Sequence, residues 1–202
     1  MKLVLASNNA KKLKELQALF APLGAELVTQ GSLGIPEAEE PFDTFVENSL
    51  TKARHAARLS GLPALADDSG LSVDALGGAP GVLSARYATL FDQPKTDADN
   101  NRVLLENLRG IDARAACFVC SLVAVKSAAD PVPLIAMGRW QGQILREAQG
   151  EGGFGYDPLM FIPAFGCSVA ELSAEQKNEH SHRALAAADL VQQMRKVWHL
   201  GS

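Results

Sequence analysis

The chain has 202 residues, 47% hydrophobic and 21% charged, the profile of one soluble globular domain, or one domain with two lobes, that buries a sizeable core. Its formal net charge of −4 leaves no basic excess to neutralise a nucleic-acid backbone or to hold a membrane surface, although a small phosphorylated ligand needs only a few local cations. Three cysteines, an odd count, give no disulfide framework and fit a reducing cytosol; the opening apolar run is too short for a secretory leader, and no stretch is long enough to span a bilayer.

Leu3 to Ala6 reads as a buried first strand, and Ser7-Asn8-Asn9 as a loop with helix-capping chemistry. Leu13, Leu16, Leu19 and Phe20 then recur at helical spacing until Pro22 and Gly24, and Glu26 to Thr29 reads as a second strand. Residues 30–42 form a loop rich in Gly, Pro and Glu. Asp43 or Thr44 caps a helix that carries Phe45, Val46, Leu50, Ala53, Ala56 and Ala57 and stops at Gly61-Leu62-Pro63. A short apolar strand follows, expected to end in Asp67-Asp68 and to turn at Gly70; residues 77–82 form a tight loop, and 97–109 an amphipathic helix. Two long extended segments, about 114–126 and 132–145, are expected to form a hairpin turning at Asp130-Pro131. Residues 146–158 read as a Gly-rich loop, Leu159 to Ile162 as a strand, and 181–198 as a final helix. An α/β start with a central hairpin predicts a mixed sheet flanked by helices. Cys117 and Cys120 sit three apart on a predicted strand, point to opposite faces and read as apolar packing.

Four constellations carry candidate chemistry. Two adjacent carboxylates at the end of a buried strand place hard oxygens where open α/β sheets hold ligands, and such oxygens suit Mg²⁺ and phosphate. Ser7, Asn8, Asn9, Ala10, Lys11 and Lys12 join a strand to a helix N-terminus, an anion site with added donors and charge, although the glycines of a Walker loop are missing. Glu37, Glu39 and Glu40 are solvated loop acids or partners completing a metal site with Asp67 and Asp68. Gly150 to Gly155 matches G-x-G-x-x-G, but Asp157-Pro158 makes a following helix unlikely and excludes the dinucleotide reading. The glycines instead let backbone approach a flat ligand, with Phe154 stacking on a base and Asp157 accepting hydrogen bonds from base or sugar. Lys177 with Ser181-His182-Arg183 forms a cationic cluster near a helix start, against the dipole. Lys52, on the second predicted helix, and Arg86 read first as surface or salt-bridge residues, with phosphate contact by Lys52 and positioning of a loop by Arg86 as the functional alternatives; His55, His180 and His199 read as surface residues.

Taken together, Ser7 to Lys12, Ala66-Asp67-Asp68-Ser69-Gly70-Leu71, Gly77 to Gly81 with Ser84-Ala85-Arg86-Tyr87, Gly152 to Pro158, and Lys177-Asn178 with Ser181-His182-Arg183 resemble the inosine triphosphate pyrophosphatase family, in its bacterial branch. The matching stretches run from end to end in family order. The resemblance implies an elongated mixed α/β fold, residues 1–202 as one domain with two lobes and a central cleft, and a homodimer; the cysteine usage sets the expected location as cytoplasmic. The resemblance also implies Mg²⁺-dependent hydrolysis of ITP, dITP and XTP to the monophosphate and pyrophosphate. By position Asp68 is the general base, Glu39 and Asp68 the metal ligands (Glu40 being the alternative to Glu39), and residues 7–12, Lys52 and Ser69 the triphosphate ligands. Phe154, Gly155, Tyr156, Asp157, Lys177, His182 and Arg183 would recognise base and sugar. The chain departs from the family where Ser7-Asn8-Asn9 replaces the common Thr-Gly-Asn, and Met160 stands where an aromatic is common.

The chemistry agrees with the residues: a carboxylate and a metal orient water for attack at phosphorus, and lysines neutralise the leaving pyrophosphate. Cationic donors favour the 6-oxo group of inosine and xanthine over the amine of adenine, an argument that leaves guanine unexplained. Two other readings are a Maf-like pyrophosphatase for pyrimidine nucleotides and a nucleotide-binding module without turnover.

Overall fold

The computed structural model describes residues 1–201. A seven-stranded mixed sheet has the order β2-β1-β3-β4-β5-β6-β7, with β1 Lys2–Leu5, β2 Glu26–Thr29, β3 Ala64–Val73, β4 Ala115–Val125, β5 Leu134–Ile144, β6 Met160–Ile162 and β7 Cys167–Ser168. The helices are α1 Ala10–Phe20, α2 Phe45–Ser60, α3 Asp97–Asn107, α4 Ala174–His180 and α5 His182–Trp198. This is the expected α/β class: β1 pairs in parallel with β2 and β3, while β5–β6 and β6–β7 are antiparallel. Parallel pairing needs long crossovers, which α1 and α2 supply. The chain forms two compact units, residues 1–68, 120–138 and 182–202 in the first, and residues 69–119 and 139–181 in the second.

In the first unit, strand alternation sorts the core into two layers. Leu3, Leu5, Leu65, Cys120, Leu122 and Ala124 face α1 and α5, where Leu16, Phe20, Ala187, Leu190 and Met194 meet them. Val4, Ala6, Ala64, Ala66, Val123 and Val125 face α2 through Ala53, Ala56 and Ala57. Gly138 on β5 sits where α5 begins: a methyl group there would fall on the His182 carbonyl oxygen and crowd the Ala186 nitrogen. Because both neighbours are backbone, Gly138→Ala is expected to cost roughly 1–3 kcal/mol, read as a lowered urea midpoint with an unchanged slope.

In the second unit, Leu71, Val73, Tyr87, Val103, Leu104, Phe118, Trp140, Tyr156 and Met160 form one core. Met160 is fully buried there, which makes its substitution for an aromatic a matter of packing. Where the sequence led to a tight loop at 77–82, a cis Ala79-Pro80 bond precedes a 3-10 segment, Gly81–Phe91, kinked at Arg86. The tiny strand β7 and the short α4 carry too few periodic positions to be read from sequence.

Candidate active site

The Asp-Asp strand does not end where the sequence suggested. β3 runs on through Asp67, Asp68, Ser69 and Gly70 to Val73. Its pairing with β1 stops at Leu5 with Leu65, so the two carboxylates project beyond the carboxyl end of β1. Since β1 lies between β2 and β3, this is the switch point of the parallel part of the sheet, the usual ligand position of an open α/β sheet. The two carboxylates reach the sheet edge through a neighbour that ends, rather than through a turn at glycine.

Alternation places the two adjacent carboxylates on opposite faces, with different partners. Asp67, 1% exposed, faces α1 and α5: Oδ1 accepts from Lys12 Nζ at 2.8 Å, and Oδ2 from Arg183 Nε at 2.6 Å. Arg183 is also 1% exposed and pairs through Nη1 with Glu15. Burial by itself would lower the Arg183 pKa, but the Asp67 and Glu15 carboxylates outweigh it and hold the guanidinium charged. Cys120 Sγ lies 3.8 Å from Asp67 Oδ2, while Cys117, buried on the same strand, has its thiol pushed up by burial.

Asp68 faces α2. Its Oδ1 accepts from Lys52 Nζ at 3.0 Å, and the same ammonium reaches Glu40 Oε1 at 2.6 Å. Oδ2 of Asp68 is buried without a hydrogen-bond partner among the described residues. Burial pushes the Asp68 carboxyl up, Lys52 pulls it down and Glu40 pushes it up again, with a raised value as the result. For Lys52, burial acts downward, but Asp68 and Glu40 outweigh it and its pKa is raised. Asp67 therefore cannot share an ion with Asp68, as the sequence reading allowed. Of the loop acids, Glu40 stands beside Lys52 and Asp68, while Glu39 is exposed. Among the described residues no three His, Cys, Asp or Glu side chains cluster to enclose a metal. A Mg²⁺ ion does not need such a cage: one or two carboxylates plus phosphate oxygens and water suffice. The unpartnered Asp68 oxygen and the nearby Glu40 carboxylate fit that donor set.

The loop after β1 is ordered by its own side chains. Asn9 Oδ1 caps α1 by accepting from the Lys11 and Lys12 backbone N–H groups, and Ser7 Oγ accepts from Asn9 N at 3.1 Å. Two N–H groups expected to meet an anion are thus already capped, which leaves Lys12 as the buried-side cation and Lys11 and Ala10 exposed. Asn8 donates to Glu37 Oε1 at 3.3 Å, and its side-chain oxygen occupies the space that a Cβ on Gly31 would need. Asn48, buried on α2, donates to the Phe42 carbonyl at 3.0 Å and accepts from its N–H at 3.1 Å, and so anchors the acidic loop. Neither Glu15 nor Asn48 carried a sequence signal, because each works through a partner far along the chain.

In the second unit the Gly-rich segment folds into a ring of contacts. Asp157 Oδ2 accepts from Phe154 N at 2.9 Å and from Lys177 Nζ at 2.8 Å. Lys177 Nζ lies 4.5 Å from the Phe154 ring centroid, a cation–π contact. The sequence reading gave Asp157 to the ligand; the structure commits one of its oxygens to the loop itself. Gly153 has φ +73, and a side chain there would strike the Asp157 carboxylate. Tyr156 is buried and donates to the Ser84 carbonyl at 2.8 Å. No α-helix opens from the G-x-G-x-x-G match, which agrees with rejecting a dinucleotide fingerprint. The cationic cluster divides: Lys177 belongs to this aromatic loop, while His182 and Arg183 are buried at the start of α5 in the first unit. Ser69 is half-buried on β3.

The profile of the Ham1 family matches residues 3–193. The dITP/XTP pyrophosphatase of Leptothrix cholodnii is 63% identical, over 99% of this chain and 100% of the relative, and that of Methylibium petroleiphilum is 63% identical over 98% and 99%. A HAM1 protein structure from Coxiella burnetii superposes with a TM-score of 0.90 at 44% identity, covering 98% of this chain and 100% of that one.

Proposed function

The chain belongs to the Ham1 family, and from that premise we propose that it hydrolyses non-standard purine nucleoside triphosphates (ITP, dITP and XTP) to the monophosphate and pyrophosphate. The observation that carries the reading is the buried, unpartnered Oδ2 of Asp68 beside Lys52 at the sheet's switch point.

Asp68 is assigned as the general base. Its carboxylate takes a proton from water as the water oxygen bonds to phosphorus at the α–β anhydride, the bridging P–O bond breaks, and pyrophosphate leaves with the bond electrons. Lys52 keeps Asp68 oriented and, with Lys11 and Lys12, offers positive charge to phosphate oxygens, while Ser7, Asn8, Asn9 and Ser69 supply polar contacts. Mg²⁺ is assigned to Asp68 and Glu40, where it would neutralise charge on the triphosphate. The base is assigned to Phe154, Gly155, Tyr156 and Lys177, with Asp157 as the brace of that loop. Arg183, paired with Asp67 and Glu15, is assigned to holding α5 and Lys12 in place rather than to the base; His182 stays with the same helix start.

Residues 1–202 are assigned to one catalytic domain acting as a homodimer; light scattering at several concentrations is the test, and a monomer mass throughout would overturn the dimer. Among the described residues no helix is long and apolar enough to cross a membrane, and a cytoplasmic setting is proposed.

The test is pyrophosphate release from ITP, XTP, ATP, GTP and dTTP with and without Mg²⁺. Strong Mg²⁺-dependent release from ITP and XTP alone supports the reading. A preference for dTTP replaces it with a Maf-like pyrimidine activity, and binding of ITP without release replaces it with a binding module.

The pH dependence follows from Asp68. The base must be ionised, and its burial lifts its pKa above the ordinary carboxylate range. In the metal-free protein Asp68 therefore takes up its proton at a higher pH than an exposed Asp would. An NMR titration of the side-chain carboxyl carbons checks this, and a midpoint at or below the ordinary Asp value rules it out.

A further inference from the structure

We propose that Asp97 and Asn101 are positioning residues that clamp the aromatic loop 153–157 and thereby set the apparent affinity for the purine base; the inference rests on assigning that loop to the base. Gly155 is held at both of its backbone polar groups. Its N–H donates to Asp97 Oδ2 at 2.8 Å, and its carbonyl accepts from Asn101 Nδ2 at 3.0 Å. Asp97 is the first residue of α3 and Asn101 lies one turn further, so both project from the same face of the helix.

Gly155 is the residue that most needs such a clamp. It stands between Phe154 and Tyr156 with φ +61, a conformation glycine reaches freely and can as freely leave. The flanking residues are tied elsewhere, Tyr156 O–H to the Ser84 carbonyl and Phe154 N–H to Asp157 Oδ2. Gly155, by contrast, is held by an exposed acid and a half-buried amide. The Gly155 carbonyl requires a donor, which fixes the Asn101 amide orientation and leaves Asn101 Oδ1 buried without a partner among the described residues. An orphaned acceptor costs stability, so the orientation serves Gly155 rather than Asn101.

A loop that holds its binding geometry for only part of the time binds more weakly by that fraction, with no change once the ligand is bound. Removing the clamp should therefore raise KM and spare kcat.

The experiment compares Asp97→Ala, Asn101→Ala, Asp97→Asn and Phe154→Ala with the parent enzyme, in steady-state kinetics with XTP and ITP and in thermal melts. Asp97→Ala and Asn101→Ala are each expected to raise KM about fivefold, the worth of one hydrogen bond, with kcat within about twofold. Asp97→Asn removes the charge from the helix start but keeps an acceptor for Gly155 N–H, and is expected to restore KM. If Asp97→Asn matches Asp97→Ala, the effect belongs to the helix charge and the proposal fails. It also fails if kcat falls in parallel with the melting temperature, which marks a merely structural role. A raised KM in Phe154→Ala with none in the clamp variants overturns the clamp and leaves the base assignment standing; an unchanged KM in Phe154→Ala removes that assignment and the clamp with it.

Discussion

Asp68→Asn is expected to lower kcat for XTP and ITP by about 10³-fold, with KM moving by less than about tenfold. The substitution keeps the shape of the side chain and removes the group able to accept a proton. The fold should tolerate it. The ionised Asp68 carboxylate is disfavoured in the folded state, mainly through burial, and Lys52 keeps Glu40 at 2.6 Å as a partner. A neutral amide removes a charge that burial already penalises. The loss should thus appear in single-turnover pyrophosphate release, with a urea midpoint close to the parent's. Retention of a tenth or more of the parental kcat would remove Asp68 from the base role. A collapsed midpoint would show that the lost activity reflects unfolding.

The second large effect concerns stability. Asp67→Ala is expected to cost roughly 3–5 kcal/mol, because it takes from the buried Arg183 guanidinium the carboxylate that holds its Nε. Against a total of about 5–15 kcal/mol for a domain, that is enough to leave much of the protein unfolded at growth temperature. Arg183→Met should be similarly costly, since it takes from the buried Asp67 carboxylate the guanidinium that holds its Oδ2. The informative comparison is the double variant Asp67→Ala with Arg183→Met. Replacing both members of a buried pair by apolar groups removes the desolvation penalty along with the attraction, so the double variant should be less destabilised than the sum of the singles. Urea denaturation of all variants measures this. Additive losses would mean that the two residues act independently, despite the 2.6 Å contact between them.

Much of this molecule was legible as sequence because the signals were local. Asn9 and Thr44 as caps, Gly61 as the stop of α2, and the apolar spacing of α5 depend on residues within a few positions of one another. The motif segments fall among charged and aromatic partners: Asp68 beside Lys52, and Phe154 beside Lys177. What misled was an inference from local composition to long-range geometry. Ser69-Gly70 looks like a turn, yet β3 passes straight through it, because Leu71 and Val73 beyond it are wanted in the core of the second unit.

The sequence by itself determined which segments are strands and helices, where most of them stop, and which residue types could meet a triphosphate and a base. Local hydrogen bonds and apolar periodicity act between near neighbours, so they are written in order along the chain. Only the tertiary structure decided that Asp67 and Asp68 part company, one buried against Arg183 and Lys12 and the other left with a free oxygen beside Lys52. It also decided that Glu40 rather than Glu39 stands with them, and that Lys177 and Arg183 serve different units. The physical reason is that an ion pair is made by distance in space: Arg183 and Asp67 are 116 positions apart. Which of two neighbouring carboxylates keeps its charge for a partner and which keeps an oxygen for chemistry follows from the face of the strand each occupies and from the helix packed over that face.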